Sequence, residues 1–155
     1  MNTNAIAQAI CYSLGQLNVR YDYNQEKQVI ILGTKVECKL KNLQYFIQIN
    51  DEDFIVYALC PMNADEESKN EILRYLAMAN YGLFNGNFEM DVRDGEIRYK
   101  CYVDCREMNS IHDIVVARAI ILPVTMFERF GDGLAALLMG FSDADTEYRK
   151  AQMKE

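Results

Sequence analysis

The groups in this chain that could do chemistry begin with its one histidine, His112, and its five cysteines, Cys11, Cys38, Cys60, Cys101 and Cys105. A cysteine becomes a nucleophile when a base and a third, orienting group converge on its thiol. Cys105 is the cysteine nearest His112 in sequence, but no orienting partner is indicated. His112, beside Asp113, reads as a surface or capping histidine at the start of a helix. A zinc site needs about four Cys, His or carboxylate ligands, usually in short paired spacings, and no cysteine pair here has CxxC spacing. Cys101 and Cys105 are four apart, so in a strand they share a face but lie beyond bridging distance. Asp51-Glu52-Asp53 lacks the spaced oxygens, turn glycine and distal glutamate of a calcium loop and reads as a hairpin tip. The GLFNGNF segment from Gly82 is neither a phosphate-binding loop nor a dinucleotide fingerprint. Carboxylates whose positions can be assigned lie on strand faces or in a helix first turn, so no pair converges for acid–base work. No catalytic, cofactor-binding or metal-ligating residue is assigned, and the chain is expected not to be an enzyme. Met78, Met90, Met126 and Met139 fall on or near apolar faces. Gap-filling in the core is the favoured reading over an adaptable binding surface.

Composition narrows the partners. The chain has 155 residues, half of them apolar, and a formal net charge of −7. A chain of this length buries about 70% of its unfolded surface and needs no metal or disulfide to fold. Phosphate backbones are recognised by clustered Lys and Arg. The most basic segment, Lys35–Lys41, alternates with apolar residues and contains Glu37, so nucleic-acid binding is not expected. The first twenty residues lack a basic leader and a long apolar run, and no stretch reaches about 18 uncharged apolar residues. The expectation is a cytoplasmic protein with reduced thiols and no membrane contact.

The elements that must position these residues follow from periodicity. Thr3–Asn18 carries apolar residues at helical spacing. Tyr21–Tyr23 is a short strand. Gln28–Leu32 is a β-branched one, followed by a turn at Gly33-Thr34 and a half-buried edge strand with Val36, Cys38 and Leu40 inward. Gln44–Asn50 and Phe54–Cys60 are apolar at nearly every position. Strands of this kind are usually covered on both faces, the second cover being part of a helix, a tail or another subunit. Asn63 with Glu66 has capping-box spacing for a helix running to Asn80 or Tyr81, with Gly82 closing it. Asp94-Gly95 favours a two-residue hairpin that faces Glu89 with Lys100 and Asp91 with Arg98 across a charged face. The same register puts Phe88, Met90, Val92, Ile97, Tyr99 and Cys101 on an apolar one. A last helical region is capped by Asn109 or Ser110, is kinked or divided at Pro123, and ends at Gly140. The polar residues Ser142–Glu155 are expected to fray or to form a detached helix. The fold class is therefore α+β: an antiparallel sheet of five to six strands flanked by helices, in the order α-β-β-β(-β)-α-β-β-α. The domain spans 1–141 and the polar tail 142–155.

Leu76-Ala77-Met78-Ala79-Asn80 at a helix end, followed by Gly86-Asn87-Phe88-Glu89-Met90-Asp91 and a D-G hairpin, resembles the YbjN domain family over roughly residues 5–141. The Phe130–Gly140 segment resembles that family's C-terminal helix. The resemblance implies a fold similar to type III secretion chaperones, a homodimer, and the family's bacterial setting and label of proposed sensory-transduction regulators. It brings no catalytic residues. The function expected is a non-enzymatic protein-interaction or regulatory module with an unidentified protein partner. The alternative is a sensor domain that binds a small apolar ligand.

Overall fold

The structure is a computed structural model in which residues 2–154 are described. Met1 and Glu155, the outer ends of the expected segments 1–141 and 142–155, lie outside the described residues. The elements are α1 (Thr3–Gln16), β1 (Tyr21–Asn24), β2 (Val29–Lys35), β3 (Asn42–Ile49), β4 (Asp53–Leu59), α2 (Lys69–Asn80), β5 (Asn87–Met90), β6 (Ile97–Asp104), α3 (Asp113–Leu138) and α4 (Ala144–Gln152). All six strands form one antiparallel sheet in the order β1-β2-β3-β4-β6-β5. The first four make a meander. After α2 the chain returns with β6 beside β4 and β5 on the outer edge. The architecture is α+β, as the element pattern predicts, with α4 added at the end.

One parity of strands β2 to β6 forms the core. Ile30, Tyr45, Ile47, Phe54, Val56, Tyr99 and Cys101 are all fully buried. The helices gather on this face around α3, which packs on α1, α2 and α4 and on strands β4 and β6. Phe88 sits at the centre of an aromatic cluster, edge-on to Tyr99, Phe127 and Phe130 at 4.8, 5.2 and 5.9 Å between ring centroids.

Pro123 neither divides α3 nor ends it; the helix is continuous from Asp113 to Leu138. The proline step is supported from the sheet. The Tyr45 hydroxyl donates to the Ile120 carbonyl at 3.0 Å, and the Val124 N–H points at the same hydroxyl. Ile120 and Val124 are the acceptor and donor of an ordinary helical turn, so Tyr45 sits at the rung next to the one that Pro123 cannot make. Gly131 and Gly133 allow close approach to α3. A Cβ on Gly131 would stand 2.6 Å from Cys38 Sγ, and one on Gly133 would collide with the Tyr75 hydroxyl. That hydroxyl donates to the Phe130 carbonyl at 2.9 Å.

Four local expectations are corrected. First, Gly33-Thr34 is not a turn, because β2 runs through it to Lys35, and Val36–Lys41 is a loop and not an edge strand. The alternation there is real, since Val36, Cys38 and Leu40 are buried. They insert under α3 instead of joining the ladder. Glu37 and Lys39 N–H groups are taken by the Glu128 and Asp132 carboxylates of that helix. Second, the β5–β6 hairpin is shifted by two residues. Phe88 faces Tyr99 and Glu89 faces Arg98, while Asp91 to Glu96 close a longer loop. Gly95 has φ +77°, but Asp94 is not in the left-handed region, so the turn is not type I′. Asp91 instead takes the backbone and guanidinium of Arg93, and Ala64 N–H bonds the Gly95 carbonyl. A two-residue shift keeps every side chain on its face, but it leaves Val92 in the exposed loop and not in the core.

Third, the caps differ. Asn63 donates to the Asp94 carbonyl, and the turn before α2 is held by Asp65 and Ser68, each accepting the other's N–H. His112, not Asn109 or Ser110, is the N-cap of α3. Fourth, residues 144–152 do not fray or stand apart. As α4 they bury Ala144, Glu147 and Ala151 against α2 and α3. Glu71 accepts from the Ala144 N–H at 2.7 Å, and Arg74 grips Asp145 with two bonds of 2.9 Å.

Candidate functional site

The face of the sheet opposite the helices is left unused by the core. Strand register places its side chains in rows. One row runs Asp22, Ile31, Phe46, Tyr57, Lys100; the next runs Val29, Gln48, Ile55, Tyr102; the third runs Gly33, Gln44, Leu59, Arg98, Glu89. Val29, Ile31, Phe46, Ile55, Tyr57 and Leu59 are each only partly buried, and Tyr102 is 48% exposed. They are partly sheltered by one another, and the described helices pack on the opposite face. Strand β4 is thus apolar on both sides, as its sequence indicates, whereas β3 alternates and sets Asn42, Gln44 and Gln48 beside Phe46 on this face; the described helices cover only the other side.

The β6–β5 end of this face is charged. Glu89 takes hydrogen bonds from Arg98 at 2.6 Å and from Lys100 at 2.8 Å. Burial pushes its carboxyl upward, but the Lys100 and Arg98 bonds outweigh that and hold it below its ordinary value. The Arg98 guanidinium lies 4.3 Å over the Tyr57 ring, joining the charged end to the apolar rows. The result is an amphipathic plane able to bind by area and charge.

The outer edge of β5 is closed by a side chain. Asn80, the last residue of α2, donates to the Phe88 carbonyl at 2.8 Å and accepts the Phe88 N–H at 2.7 Å. Its carboxamide substitutes for the backbone of a neighbouring strand, which removes that rung as a pairing template. Just beyond it, the connection to β5 exposes Tyr81 and Phe84.

The residues weighed for catalysis are dispersed in other roles. His112 Nδ1 accepts from the Ile114 N–H at the start of α3. Cys105 is buried, with its thiol against the Val103 carbonyl and its pKa pushed up by burial. No hydrogen bond joins the two among the described residues. All five cysteines are free; burial raises Cys60 to about 11 and Cys101 to about 12. Asp51 and Glu52 form the β3–β4 hairpin tip, bracketed by the Asn50–Asp53 bond. Among the described residues no three His, Cys, Asp or Glu side chains converge to hold a metal ion. None of their helices is long and apolar enough to cross a membrane. The four methionines divide. Met78, Met90 and Met126 are partly buried, whereas Met139 is 57% exposed at the end of α3.

Comparison with solved structures matches this arrangement to YbjN of E. coli, described as a proposed transcription regulator, with a TM-score of 0.61 over 84% of this chain and 91% of that one. The chain has the YbjN fold. Sequence identity to YbjN is 10%, so the likeness is one of architecture. No family model matches the chain, and no curated protein matches it. The run of apolar residues in Phe54–Cys60 makes the two-sided apolarity of β4 legible, but the same reading is wrong for β3, where Gln44 and Gln48 alternate with buried residues. Sequence periodicity misses that the second side stays open, and it gives no sign that Asn80 would seal the β5 edge.

Proposed function

We propose that this chain is a regulatory protein-interaction module, related to the YbjN family, that acts as a homodimer and works by binding and not by catalysis. The observation that carries this reading is the uncovered sheet face, with Ile31, Phe46 and Tyr57 side by side on three adjacent strands. A contiguous apolar patch of this kind, rimmed by charge, is what monomeric proteins avoid and interfaces use. The net charge of −7 argues for a protein partner over nucleic acid. The alternative, a small apolar-ligand sensor, has weaker support, because the apolar recess lined by Leu40, Met139 and Phe141 lies at the surface beside α4 and not between sheet and helices.

Sedimentation velocity over a concentration series tests the proposal. The expected result is a dimer that Phe46→Glu combined with Tyr57→Glu converts to a monomer with an unchanged far-UV circular dichroism spectrum. A wild-type monomer at every concentration rules out the homodimer. If affinity capture from the native cell extract then also retains no protein, the interaction reading falls, and native mass spectrometry for a bound apolar ligand decides for the sensor.

A further inference from the structure

Charge on the open sheet face runs in one direction. The row Asp22, Ile31, Phe46, Tyr57, Lys100 begins on β1 with an acid and ends on β6 with a base, with three apolar side chains between them. The Asp22 carboxylate is exposed and has no hydrogen bond or ion pair among the described residues. The Lys100 side chain is 34% exposed, and its ammonium gives one of its three donors to Glu89 at 2.8 Å. Glu89 is shared with Arg98, which also lies 3.6 Å from Glu96. Arg98 therefore has two acids beside it, while Lys100 has part of one and two donors still to place.

Shape runs the same way. In the next row, Gly33 of β2 and Leu59 of β4 flank Gln44 of β3. Gly33 leaves a dip in the face between Arg20, Asp22, Ile31 and Gln44. A Cβ at Gly33 would meet nothing closer than the Leu43 carbonyl oxygen at 4.0 Å, so the dip is open and the backbone there is ordinary. On the other side of the central row, Val29 and Ile55 flank Gln48 in the same manner.

The face is thus complementary to itself about β3. A two-fold axis parallel to the strands and passing over Phe46 exchanges β2 with β4 and β1 with β6. It sets Phe46 on its own copy, Ile31 on Tyr57, Val29 on Ile55, Leu59 over the Gly33 dip and Asp22 on Lys100. Arg20 then approaches Arg98, whose charge Glu89 and Glu96 already meet. An axis running across the strands instead sets Asp22 on Asp22 and Lys100 on Lys100, which like-charge repulsion disfavours. An axis between β3 and β4 lays Ile31 on the Lys100 ammonium. Aligned sheets cross at about 30°, and the flexible four-carbon stem of lysine follows that offset.

From this we infer that the open sheet face receives a second copy of this chain with the two-fold axis along β3, and that Asp22–Lys100 pairs between the copies fix this orientation. The inference rests on the homodimer reading above and adds its geometry. In an isologous interface each such pair occurs twice.

The test is the homodimer Kd of the full chain, measured by sedimentation velocity. It should rise about ten-fold or more in Asp22→Lys and in Lys100→Asp, because each change creates two like-charge contacts. An equimolar mixture of these two variants should dimerise again with a Kd close to that of the wild type, since each introduced charge then meets its opposite. Native mass spectrometry identifies that species as the mixed dimer. Gly33→Val, a β-branched residue in a strand with room for it, should keep the denaturation midpoint and weaken the dimer by filling the dip. Charge reversals that leave the Kd unchanged overturn the inference, as does a mixture no tighter than the separate variants. So does a mixed dimer of wild type with Asp22→Lys that is tighter than wild type, which would set Asp22 against its own copy. If Phe46→Glu with Tyr57→Glu still dissolves the dimer in those cases, the proposed function stands and only the geometry falls. A wild-type monomer at every concentration removes both.

Discussion

At the residue scale, single polar groups hold together places where the backbone would otherwise fail. Tyr45 is the clearest, because Pro123 removes one rung of α3 and the Tyr45 hydroxyl occupies the next. Tyr45→Phe strands the buried Ile120 carbonyl and is expected to cost about 1–3 kcal/mol in urea denaturation. Pro123→Ala added to it should recover part of that loss, since the helical rung can then close on itself. Two exposed aspartates give a pH signature. Asp91 and Asp104 each accept from an arginine two residues on, Arg93 and Arg106, and these bonds lower both carboxyls to about 2. A carboxyl depressed in the folded state adds stability that is fully present above its ordinary value near about 4. That stability is lost as pH falls toward 2. Carbon-13 NMR titration should therefore find both midpoints well below those of other exposed aspartates. Asp91→Asn and Asp104→Asn should each flatten the stability loss in that acid window. The cysteines contrast with these: buried Cys60 and Cys101, raised to about 11 and 12, should resist alkylation at pH 8, while half-buried Cys11 should react first.

At the element scale, the same residues show why some expectations from sequence hold and others do not. Alternation at Val36, Cys38 and Leu40 correctly marks an inward face, but the partner is a helix and not a strand. Periodicity reports which side chains are buried and is silent on what buries them. The Asp94-Gly95 signal likewise finds the hairpin and its faces. Its register is set instead by Asp91 binding Arg93 and by Ala64 reaching Gly95, a contact across about thirty residues that no local rule contains. Gly131 is the point where α3 touches Cys38. Gly131→Ala should destabilise despite its better helix propensity, by about 1–3 kcal/mol as an overpacked contact, measured as a lowered denaturation midpoint. Asn80→Ala should leave Phe88 unpaired on its outer side, and hydrogen exchange at the Phe88 amide should accelerate while that of Tyr99 changes far less.

At the scale of the whole molecule, α4 is part of the body. It buries Ala144, Glu147 and Ala151 and is tied to α2 through Glu71 and Arg74. Removing residues 142–155 should lower stability by about 2–4 kcal/mol, from lost apolar burial and the broken Glu71 bond. Calorimetry checks this. The polar composition of that segment hides its role because a short helix needs only a few small inward residues to dock. Composition averages over them. The helices lie on one side of the sheet and leave two distinct surfaces, one broad and flat, the other narrow and rimmed by lysines.

The sequence by itself determined the α+β class, the inward faces of the Phe88–Cys101 hairpin and of Val36, Cys38 and Leu40, and the places of the three longer helices. Those properties follow from local periodicity, turn residues and composition, which act within a few residues of the chain. Only the tertiary structure decided that the outer face of β3 and β4 stays uncovered, that Asn80 seals β5, and that Lys39, Lys150 and Lys154 meet around Met139 and Phe141. Each depends on how α3 and α4 lie across the sheet. That placement is set by close approaches between residues distant in sequence, Gly131 on Cys38 and Gly133 on Tyr75, and by the Tyr45 bond to a proline-weakened turn.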